Sequence, residues 1–432
     1  MVKKIKFLSL VVMLFAALTA NAQVTTSAIS GTVVDENKEA LVGATIVAKH
    51  MPSGTTYGAA TNLDGRYNLQ GMRTGGPYVI EITYIGYAKA QIDNVYLQLG
   101  NTSVYNVQLE TSANSLDEVV VMGKGGTQAG AAKNFSLAKI EGTPTITRNV
   151  YDVVKNTPMV NVNKAGGISI AGTNNRYNSF QIDGTVSNDV FGLASSGTNG
   201  GQASANPISL EAIEELQVVI SPFDVRQSGF TGGGINAVTK QGSNTFHASA
   251  YTYYNNQDFY GRWNQQLEKK DPLTTQRTLT YGGNVSGAAI KDKLFFFVNV
   301  ERNEDTYPSS YYPGYNGQTF LTVNQAQQIL DHYNQLTGGK FKDSFGQRDV
   351  ERKSTDILAR VDWNISDKHK LALRYQHVNA FDDKYSNSAT TFYFNNSSYR
   401  FCNLTNSFVA ELNSRFNNEW SNEFRASYNR IR

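Results

Sequence analysis

The residue types that most often carry chemistry are sparse in this sequence, and their spacing does not form a reactive set. The glycine-rich residues 229–234 resemble a phosphate-binding loop only superficially. They lack its lysine and the helix that follows it. Ser195, Ser196 and Ser204 lie in a small-residue loop without the strand–turn–helix elbow of a serine nucleophile. No zinc-binding spacing is found among the histidines, which are His50, His247, His332, His369 and His377. The sequence therefore predicts no catalytic residue, no metal site and no cofactor.

Recognition through backbone hydrogen bonds is indicated instead by one short stretch. It consists of Leu116, Asp117, Glu118, Val119, Val120 and Val121. Small polar residues precede it and glycines follow it, while its β-branched residues favour an extended chain. An exposed strand of this kind can add to the sheet edge of another protein. The alternative, a last strand paired inside the sheet of the preceding domain, fits the residues equally well.

Composition narrows the possible partners. The formal charge of +3 arises from interspersed acids and bases, which gives no reason to expect nucleic acid. The 24 tyrosines, 22 phenylalanines and 37 glycines against 9 prolines favour many short strands and turns. Cys402 is the single cysteine, so no disulfide within the chain is possible.

The N-terminus has the pattern of an export signal. Lys3, Lys4 and Lys6 precede an apolar run at 7–18, and Ala-Asn-Ala at 20–22 is a small-x-small cleavage site. We expect residues 1–22 to be removed, so that the mature chain begins at Gln23.

Residues 23–110 predict a compact β-sandwich. Alternating apolar residues mark strands near 29–33, 43–48, 67–69, 78–84 and 104–109, with turn residues between them. The motifs Gly-Thr-Val-Val-Asp at 31–35, Leu-Val-Gly-Ala-Thr at 41–45 and Thr-Asn-Leu-Asp-Gly-Arg-Tyr at 61–67 resemble the carboxypeptidase regulatory-like domain. The resemblance implies a non-catalytic module of carbohydrate-binding-like fold. Asp64 is explained as part of an Asp-Gly turn.

Residues 131–242 mix helical and strand patterns. Thr147 can cap a helix that places Val150, Val153 and Val154 on one face and ends before Pro158. A second helix is predicted from Pro207 and Ser209 through Leu216, followed by a strand at 217–220. The loop at 192–206 is long enough to be functional or mobile.

Several motifs in this region resemble the plug of TonB-dependent outer-membrane receptors, most closely the Oar-like branch and more loosely the SusC and RagA branch. They are Val-Asn-Val at 160–162, Gly-Ile-Ser-Ile-Ala-Gly at 167–172, Gln-Ile-Asp-Gly at 181–184, the run at 208–218 and Gly-Gly-Gly-Ile-Asn-Ala-Val-Thr-Lys at 232–240. The plug-motif residues are Gly172, Asp183, Gly184, Gly232, Gly233 and Gly234. Ala171 stands where the family usually carries an arginine, which puts one contact between plug and barrel in doubt.

The resemblance also bears on the stretch at 116–121, which lies where the family carries its TonB box, in a linker at 111–130. It therefore favours the exposed strand over the strand paired inside its own sheet. The implied partner is a TonB-type periplasmic protein that transmits energy by pulling on the box.

From 243 onwards the sequence alternates between apolar and polar residues in the manner of a membrane-spanning strand. We predict strands at 245–254, 278–289, 293–302, 354–363, 369–378, 403–415 and 419–430. Their connections are alternately long and short, which is typical of outer-membrane barrels. A plugged barrel of about 22 strands needs on the order of 500 residues after the plug, so residues 243–432 correspond to the first part of such a barrel and the chain is expected to be a fragment.

The long connection at 303–353 carries four tyrosines and a possible short helix at 323–333. We expect this connection to be a ligand-facing or lid loop, with packing as the alternative role of its tyrosines; they are Tyr307, Tyr311, Tyr312 and Tyr315.

The predicted fold is mainly β: a periplasmic β-sandwich, an α+β plug and the N-terminal strands of a plugged transmembrane β-barrel in the outer membrane of a Gram-negative cell. The predicted function is import of a specific ligand, with a TonB-type protein and outer-membrane lipid as partners and a surface lipoprotein as a further candidate partner. An oligosaccharide, peptide, protein or metal chelate would each suit the scaffold. The alternative is a barrel-anchored adhesin or glycan-binding protein without transport.

Overall fold

The computed structural model describes residues 24–112, 121–127, 130–145, 147–163, 167–222, 227, 230–261, 263–264, 268–270, 276–315, 321–340, 343–417 and 420–432. Strands dominate these ranges, which confirms the predicted mainly β class. They form a two-sheet sandwich, a five-stranded plug sheet and a seven-stranded antiparallel sheet. Among the described residues, no helix combines the length and the apolar character needed to cross a membrane.

The sandwich consists of two four-stranded sheets. The sheet orders are β4–β1–β7–β8 and β3–β2–β5–β6. The strands are β1 (Ser27–Val34), β2 (Thr45–His50), β3 (Thr56–Ala60), β4 (Arg66–Met72), β5 (Gly75–Thr83), β6 (Ala90–Leu97), β7 (Thr102–Gln108) and β8 (Val121–Thr127). Every second residue points inward, as at Ile29 and Val33 of β1 and at Ile80 and Ile82 of β5, so the two inner faces bury one common apolar core.

The five strands predicted for the sandwich are present, and three others, β3, β6 and β8, were not predicted as part of it. Strand β3 reads Thr-Tyr-Gly-Ala-Ala and has too little apolar volume to stand out. The β5–β6 pairing is interrupted by two register shifts, which break the alternation expected of a regular strand. The turn at Asp64 is as expected: the side-chain oxygen of Asn62 accepts hydrogen bonds from the backbone amides of Asp64 and Arg66 at 3.0 and 2.8 Å.

The plug is built on one sheet of order β13–β12–β15–β14–β9. Its strands are β9 (Gly130–Ser136), β12 (Ser179–Ile182), β13 (Thr185–Val186), β14 (Ile213–Pro222) and β15 (Gly234–Thr239). A hairpin of β10 (Val160–Val162) and β11 (Ile168–Ile170) and two short helices, α1 (Leu137–Glu141) and α2 (Val150–Val154), cover it. The helix residues Val150, Val153 and Val154 are fully buried in the plug core.

Two sequence predictions for the plug are wrong in detail. The helix expected through Leu216 is a single turn at Leu210–Ala212, and strand β14 already begins at Ile213. A central place in the sheet, between β15 and β9, outweighs the helical propensity of this segment. Helix α2 is capped by Asn149, whose side chain accepts from the amide of Tyr151, and not by Thr147, whose amide and hydroxyl donate to Asp152.

The third part, here called the wall sheet, contains seven antiparallel strands in sequence order. They are β16 (His247–Asn256), β19 (Arg277–Ile290), β20 (Leu294–Pro308), β21 (Asp349–Asn364), β22 (His369–Lys384), β23 (Tyr399–Arg415) and β24 (Ser421–Ile431). The first connection contains a separate pair of two-residue strands, β17 (Trp263–Asn264) and β18 (Lys269–Lys270). The connections are alternately long and short, as predicted: 257–276, 291–293, 309–348, 365–368, 385–398 and 416–420. Short turns at one end and long loops at the other are typical of outer-membrane barrels.

The wall strands extend further towards the long connections than the sequence indicated. Strand β20 runs to Pro308 and β22 to Lys384, each six residues beyond the predicted end. The helix predicted in the longest connection is confirmed as α3 (Val323–Leu336), which Thr322 and Gln325 close with a reciprocal capping box.

Candidate functional site

The predicted TonB box sits at a junction between the sandwich and the plug. Leu116 to Val120 lie outside the described residues. Val121 begins β8, which pairs antiparallel with β7 so that Val121 lies opposite Val107. For Val121 the expectation of an exposed strand is therefore wrong, because its backbone is paired within the sandwich sheet.

The segment that follows the box enters the plug at its edge. Strand β9 pairs with β14 only, since β14 lies between β9 and β15 in the sheet order. The residues that follow the box thus form two edge strands: β8 lies at the edge of a sandwich sheet and β9 at the edge of the plug sheet. An edge strand is held by a single ladder of hydrogen bonds, which makes it the part of a sheet that separates most readily.

Asp183 and Gly184 of the plug motif lie against the wall sheet. The Asp183 carboxylate accepts hydrogen bonds from the amide and hydroxyl of Thr239, at 2.9 and 2.8 Å. It also pairs with two wall arginines, Arg360 at 3.1 Å and Arg374 at 3.3 Å, and all these side chains are buried. Gly184 has a positive φ of 68°, and a Cβ there would lie 2.1 Å from the guanidinium of Arg425. The left-handed backbone favours glycine at this position, and the end of the Arg425 side chain occupies the space beside it.

The remaining plug-motif glycines serve the packing of the plug itself. A Cβ on Gly232 would lie 2.4 Å from the Asn178 side chain, and one on Gly233 would lie 2.3 Å from Ile170. Gly172, with a φ of 81°, closes the turn after β11. Gly234 begins β15, where an added Cβ would meet only tolerable contacts.

Ala171, at the place of the family's arginine, has no charge to offer the wall. Charges elsewhere join the two parts: the wall contributes the cations, Arg360 and Arg374, and the plug contributes the carboxylate of Asp183. A buried ion pair between plug and wall is therefore present without an arginine at 171.

A second contact between plug and wall is centred on Glu301 of β20. Its carboxylate accepts hydrogen bonds from Ser209 of the plug at 2.7 Å and from Tyr251 of β16 at 2.8 Å. Phe297 and Leu358 of the wall are buried in the hydrophobic core of the plug. The wall is therefore part of the packing that keeps the plug folded.

The sandwich contacts the edge of the plug through a buried polar network around Leu99. Glu215 of β14 accepts a hydrogen bond from the Leu99 amide at 2.9 Å and from the Asn134 side chain at 3.0 Å. Burial raises the pKa of Glu215 to about 7, because the two hydrogen bonds offset only part of the lost hydration of the carboxylate. Burial likewise raises the pKa of the neighbouring Glu214.

The four predicted ligand-facing tyrosines lie at the end of the wall sheet that carries the long connections. Tyr311 and Tyr312 both pack against Tyr315, with ring centroids 5.5 and 5.4 Å apart. Tyr307 lies apart from this cluster, on β20, under the guanidinium of Arg352 at 5.4 Å. Three of the four are thus brought together, and nothing in the contacts assigns them a ligand.

The described residues contain no group of three metal-ligating side chains. The alternation of apolar and polar residues predicts only that Arg360 and Arg374 lie on the polar, inner face of their strands. Their partner, Asp183, lies far away in the sequence. The signal that was present, arginines on the polar face of a barrel strand, does not indicate which plug residue they meet.

Comparisons with known proteins agree with this architecture. Residues 28–110 match the carboxypeptidase regulatory-like domain, and residues 238–313 match an outer membrane beta barrel domain. The TonB-dependent transporter Oar of Myxococcus xanthus is 27% identical over 291 residues, which cover 63% of this chain and 26% of Oar. The TonB-dependent receptor SusC of Bacteroides thetaiotaomicron is 29% identical over 255 residues, covering 55% of this chain and 23% of SusC.

A solved structure shares the fold. The outer membrane transporter YddB from Escherichia coli superimposes with a TM-score of 0.51 at 14% identity, over 69% of this chain and 39% of YddB. The chain spans about a quarter of the length of the curated relatives Oar and SusC.

Proposed function

Starting from its similarity to TonB-dependent outer-membrane receptors, we propose that this chain belongs to an importer that a TonB-type periplasmic protein drives by pulling on residues 116–121. The chain is an outer-membrane protein with an N-terminal carboxypeptidase regulatory-like domain. One observation carries the proposal: the box leads through β8 into β9, which is an edge strand of the plug sheet. A pull on the box would therefore reach the plug, after β8, at a strand that is paired on one side only.

The partner would bind by strand addition. Asp117 to Val120 would offer backbone donors and acceptors to a strand of the TonB-type protein, and the side chains add specificity. The pull then passes through β8 and residues 128–129 into β9. Removing β9 leaves β14 with an open edge, while Asp183 holds the other side of the plug sheet to the wall. A passage opens along one side of the plug because only that side is released.

The ligand enters from the side of the long connections. The cluster of Tyr311, Tyr312 and Tyr315 lies there and offers aromatic surface for an oligosaccharide, a peptide, a protein or a metal chelate. An anchored adhesin without transport is the less favoured function, since Oar is a TonB-dependent transporter.

The test is a single proline in the box. Val119→Pro removes one backbone donor and keeps the length of the linker, so we expect strand addition to fail. Ser115→Pro, placed just before the box, is the matched control. Binding of the TonB-type protein is followed by disulfide cross-linking from a cysteine at Val120 in a Cys402→Ser background. Accumulation is followed with a panel of labelled oligosaccharides, peptides and ferric chelates.

We expect Val119→Pro to lose both the cross-link and energy-dependent accumulation, and Ser115→Pro to keep both. A Val119→Pro protein that accumulates a probe at the rate of the parent would contradict the proposal. Accumulation that survives collapse of the proton-motive force would contradict it as well.

A further inference from the structure

The sandwich is attached to the wall sheet along the edge that carries the short connections. The amide of Asn244, just before β16, donates to the carbonyl of Pro52 at 2.8 Å. Asn364, at the end of β21, donates to Thr55 at 3.0 Å, and Ser421, at the start of β24, donates to Gln70 at 3.2 Å. These contacts are spread over the sheet from its first strand to its last, so the sandwich lies across the periplasmic end of the wall.

A second attachment reaches into the plug. The turn between β6 and β7 places Leu99 in a socket formed by β9 and β14. Leu99 is fully buried against Val24 and Val238. Its carbonyl accepts hydrogen bonds from Asn134 at 2.9 Å and Gln217 at 2.7 Å, and its amide donates to Glu215 at 2.9 Å.

The socket is itself tightly connected. The Asn134 side chain donates to Glu215 and accepts from Gln217 at 3.2 Å, and Gln217 accepts from Asn236 of β15 at 3.1 Å. Gly100 follows Leu99 with a φ of 68°, and a Cβ there would lie 3.1 Å from Gln217. Both backbone polar groups of Leu99 are thus satisfied by plug side chains, and losing one of these side chains leaves its partners buried with fewer hydrogen bonds.

One wall of this socket lies on the strand that the box pulls. Asn134 is on β9, whereas Glu215 and Gln217 are on β14. When β9 leaves the sheet, Leu99 loses Asn134 and Glu215 loses one of its two hydrogen bonds from the socket. Conversely, when the sandwich leaves, Asn134 loses the Leu99 carbonyl and β9 loses a contact that keeps it in register.

We propose that the Leu99 socket couples the docking of the sandwich to the retention of β9 in the plug, so that each stabilises the other. The sandwich is then a brake on the plug, and it sets how hard the box must be pulled before the plug opens. The coupling is a property of the protein at rest. The role of the sandwich as a brake, in contrast, rests on the proposed function. Coupling of this kind is reciprocal, so holding the sandwich in place must hold β9 more firmly.

The test uses a disulfide that ties the sandwich to the wall sheet without touching the socket. A Cβ at Gly71 would lie 3.9 Å from the Cβ of Asn413 on β23, which is within the range of a disulfide. The variant Gly71→Cys with Asn413→Cys, in a Cys402→Ser background, is prepared as the full-length protein in lipid. Amide hydrogen exchange of β9 is measured in the oxidised and reduced forms.

We expect β9 to exchange more slowly in the oxidised form, by about fivefold or more, the lower end of typical coupling factors. Adding Asn134→Leu removes the polar link at similar volume and should abolish the difference between the two forms. Lys133→Met is the matched control on the same strand, since its side chain bonds to the Asn156 carbonyl outside the socket. With Lys133→Met the difference should persist.

Equal exchange of β9 in the oxidised and reduced forms would overturn the coupling. So would a difference that survives Asn134→Leu, because the link would then not run through the socket. Gly71 has a φ of 66°, so a cysteine there is strained; if the disulfide does not form, β9 exchange is compared between Asn134→Leu and Lys133→Met alone, and equal exchange in these two variants would overturn the coupling. The measurement needs neither ligand nor TonB-type protein, so its failure would leave the proposed import standing. Loss of import in Val119→Pro, in turn, says nothing about the socket.

Discussion

Replacing Asp183 with asparagine should destabilise the plug, because it removes the one negative charge between two buried arginines. Arg360 and Arg374 lie 3.1 and 3.3 Å from its carboxylate, and both are almost completely buried. Asparagine tolerates the left-handed backbone at this position, where φ is 45°, and can still accept the hydrogen bond from the Thr239 amide. The shape of the turn is therefore kept while the charge is lost.

The expected cost is about 3 kcal/mol, at the lower end of the range for breaking a buried ion pair. The lower end applies because Arg360 keeps a second partner, Asp362, at 3.0 Å. The free energy of local unfolding is measured from hydrogen exchange of the β12 and β15 amides. Glu141→Gln is the control, since Glu141 is 60% exposed and lies 3.8 Å from Lys240; such a pair contributes at most about 1 kcal/mol.

A double-mutant cycle separates the charge effect from other changes. Arg374→Met added to Asp183→Asn should recover about 1 kcal/mol or more, because it removes the buried charge whose ion pair with Asp183 has been lost. A cost of Asp183→Asn no larger than that of Glu141→Gln would refute the reasoning. So would strictly additive costs in the cycle.

Two further predictions concern the plug and its neighbours. Burial raises the pKa of Glu215 to about 7, above the 4.5 of the unfolded chain. Between pH 4.5 and 7 the folded state therefore retains a proton that the unfolded state has lost. The free energy of unfolding should fall by about 3 kcal/mol as the pH rises through this range. In urea titrations at several pH values, Glu215→Gln should remove most of this dependence of stability on pH. A dependence as steep as that of the parent protein would contradict the prediction. Phe297→Ala, which empties a site in the plug core, should cost about 3 kcal/mol or more of plug stability in hydrogen exchange. Phe296→Ala, on the opposite face of β20, should leave plug exchange unchanged, and equal effects of the two variants would show that the plug does not rely on the wall.

How far the sequence predicts the wall sheet depends on what surrounds each strand. The periplasmic ends lie within two residues of the predicted ends in most strands, because the lipid-facing alternation and the short turns mark them. The outer ends of β20 and β22 were missed by six residues. Beyond the membrane a strand no longer needs an apolar face, so the alternation ends while the hydrogen-bond ladder continues.

The plug and its contacts were less predictable. The segment Leu-Glu-Ala-Ile-Glu-Glu-Leu at 210–216 has good helix formers, yet Ile213 and Leu216 lie in the middle of the sheet and are fully buried. The pairing of Asp183 with Arg360 joins residues 177 positions apart, and the docking of Leu99 beside Glu215 joins residues 116 apart. Local pattern identifies such residues as polar or apolar, but only the packed fold decides which ones meet.

The way the plug is held determines which part of it a pull can release. At its far side the plug is fixed by the buried charges of Asp183 and by apolar packing against the wall, contacts that must break together. At the near side, one ladder of hydrogen bonds holds β9 to β14. The first pair of this ladder, at the end that is pulled, is Gly130 with Pro222. Proline has no amide hydrogen to donate, so separation starts at the weakest position and then proceeds one pair at a time, each net hydrogen bond being worth about 1 kcal/mol. Under the proposed function, a steady pull would therefore extract β9 before it disturbs Asp183, so that the plug would open along one side while its other side stays attached to the wall sheet.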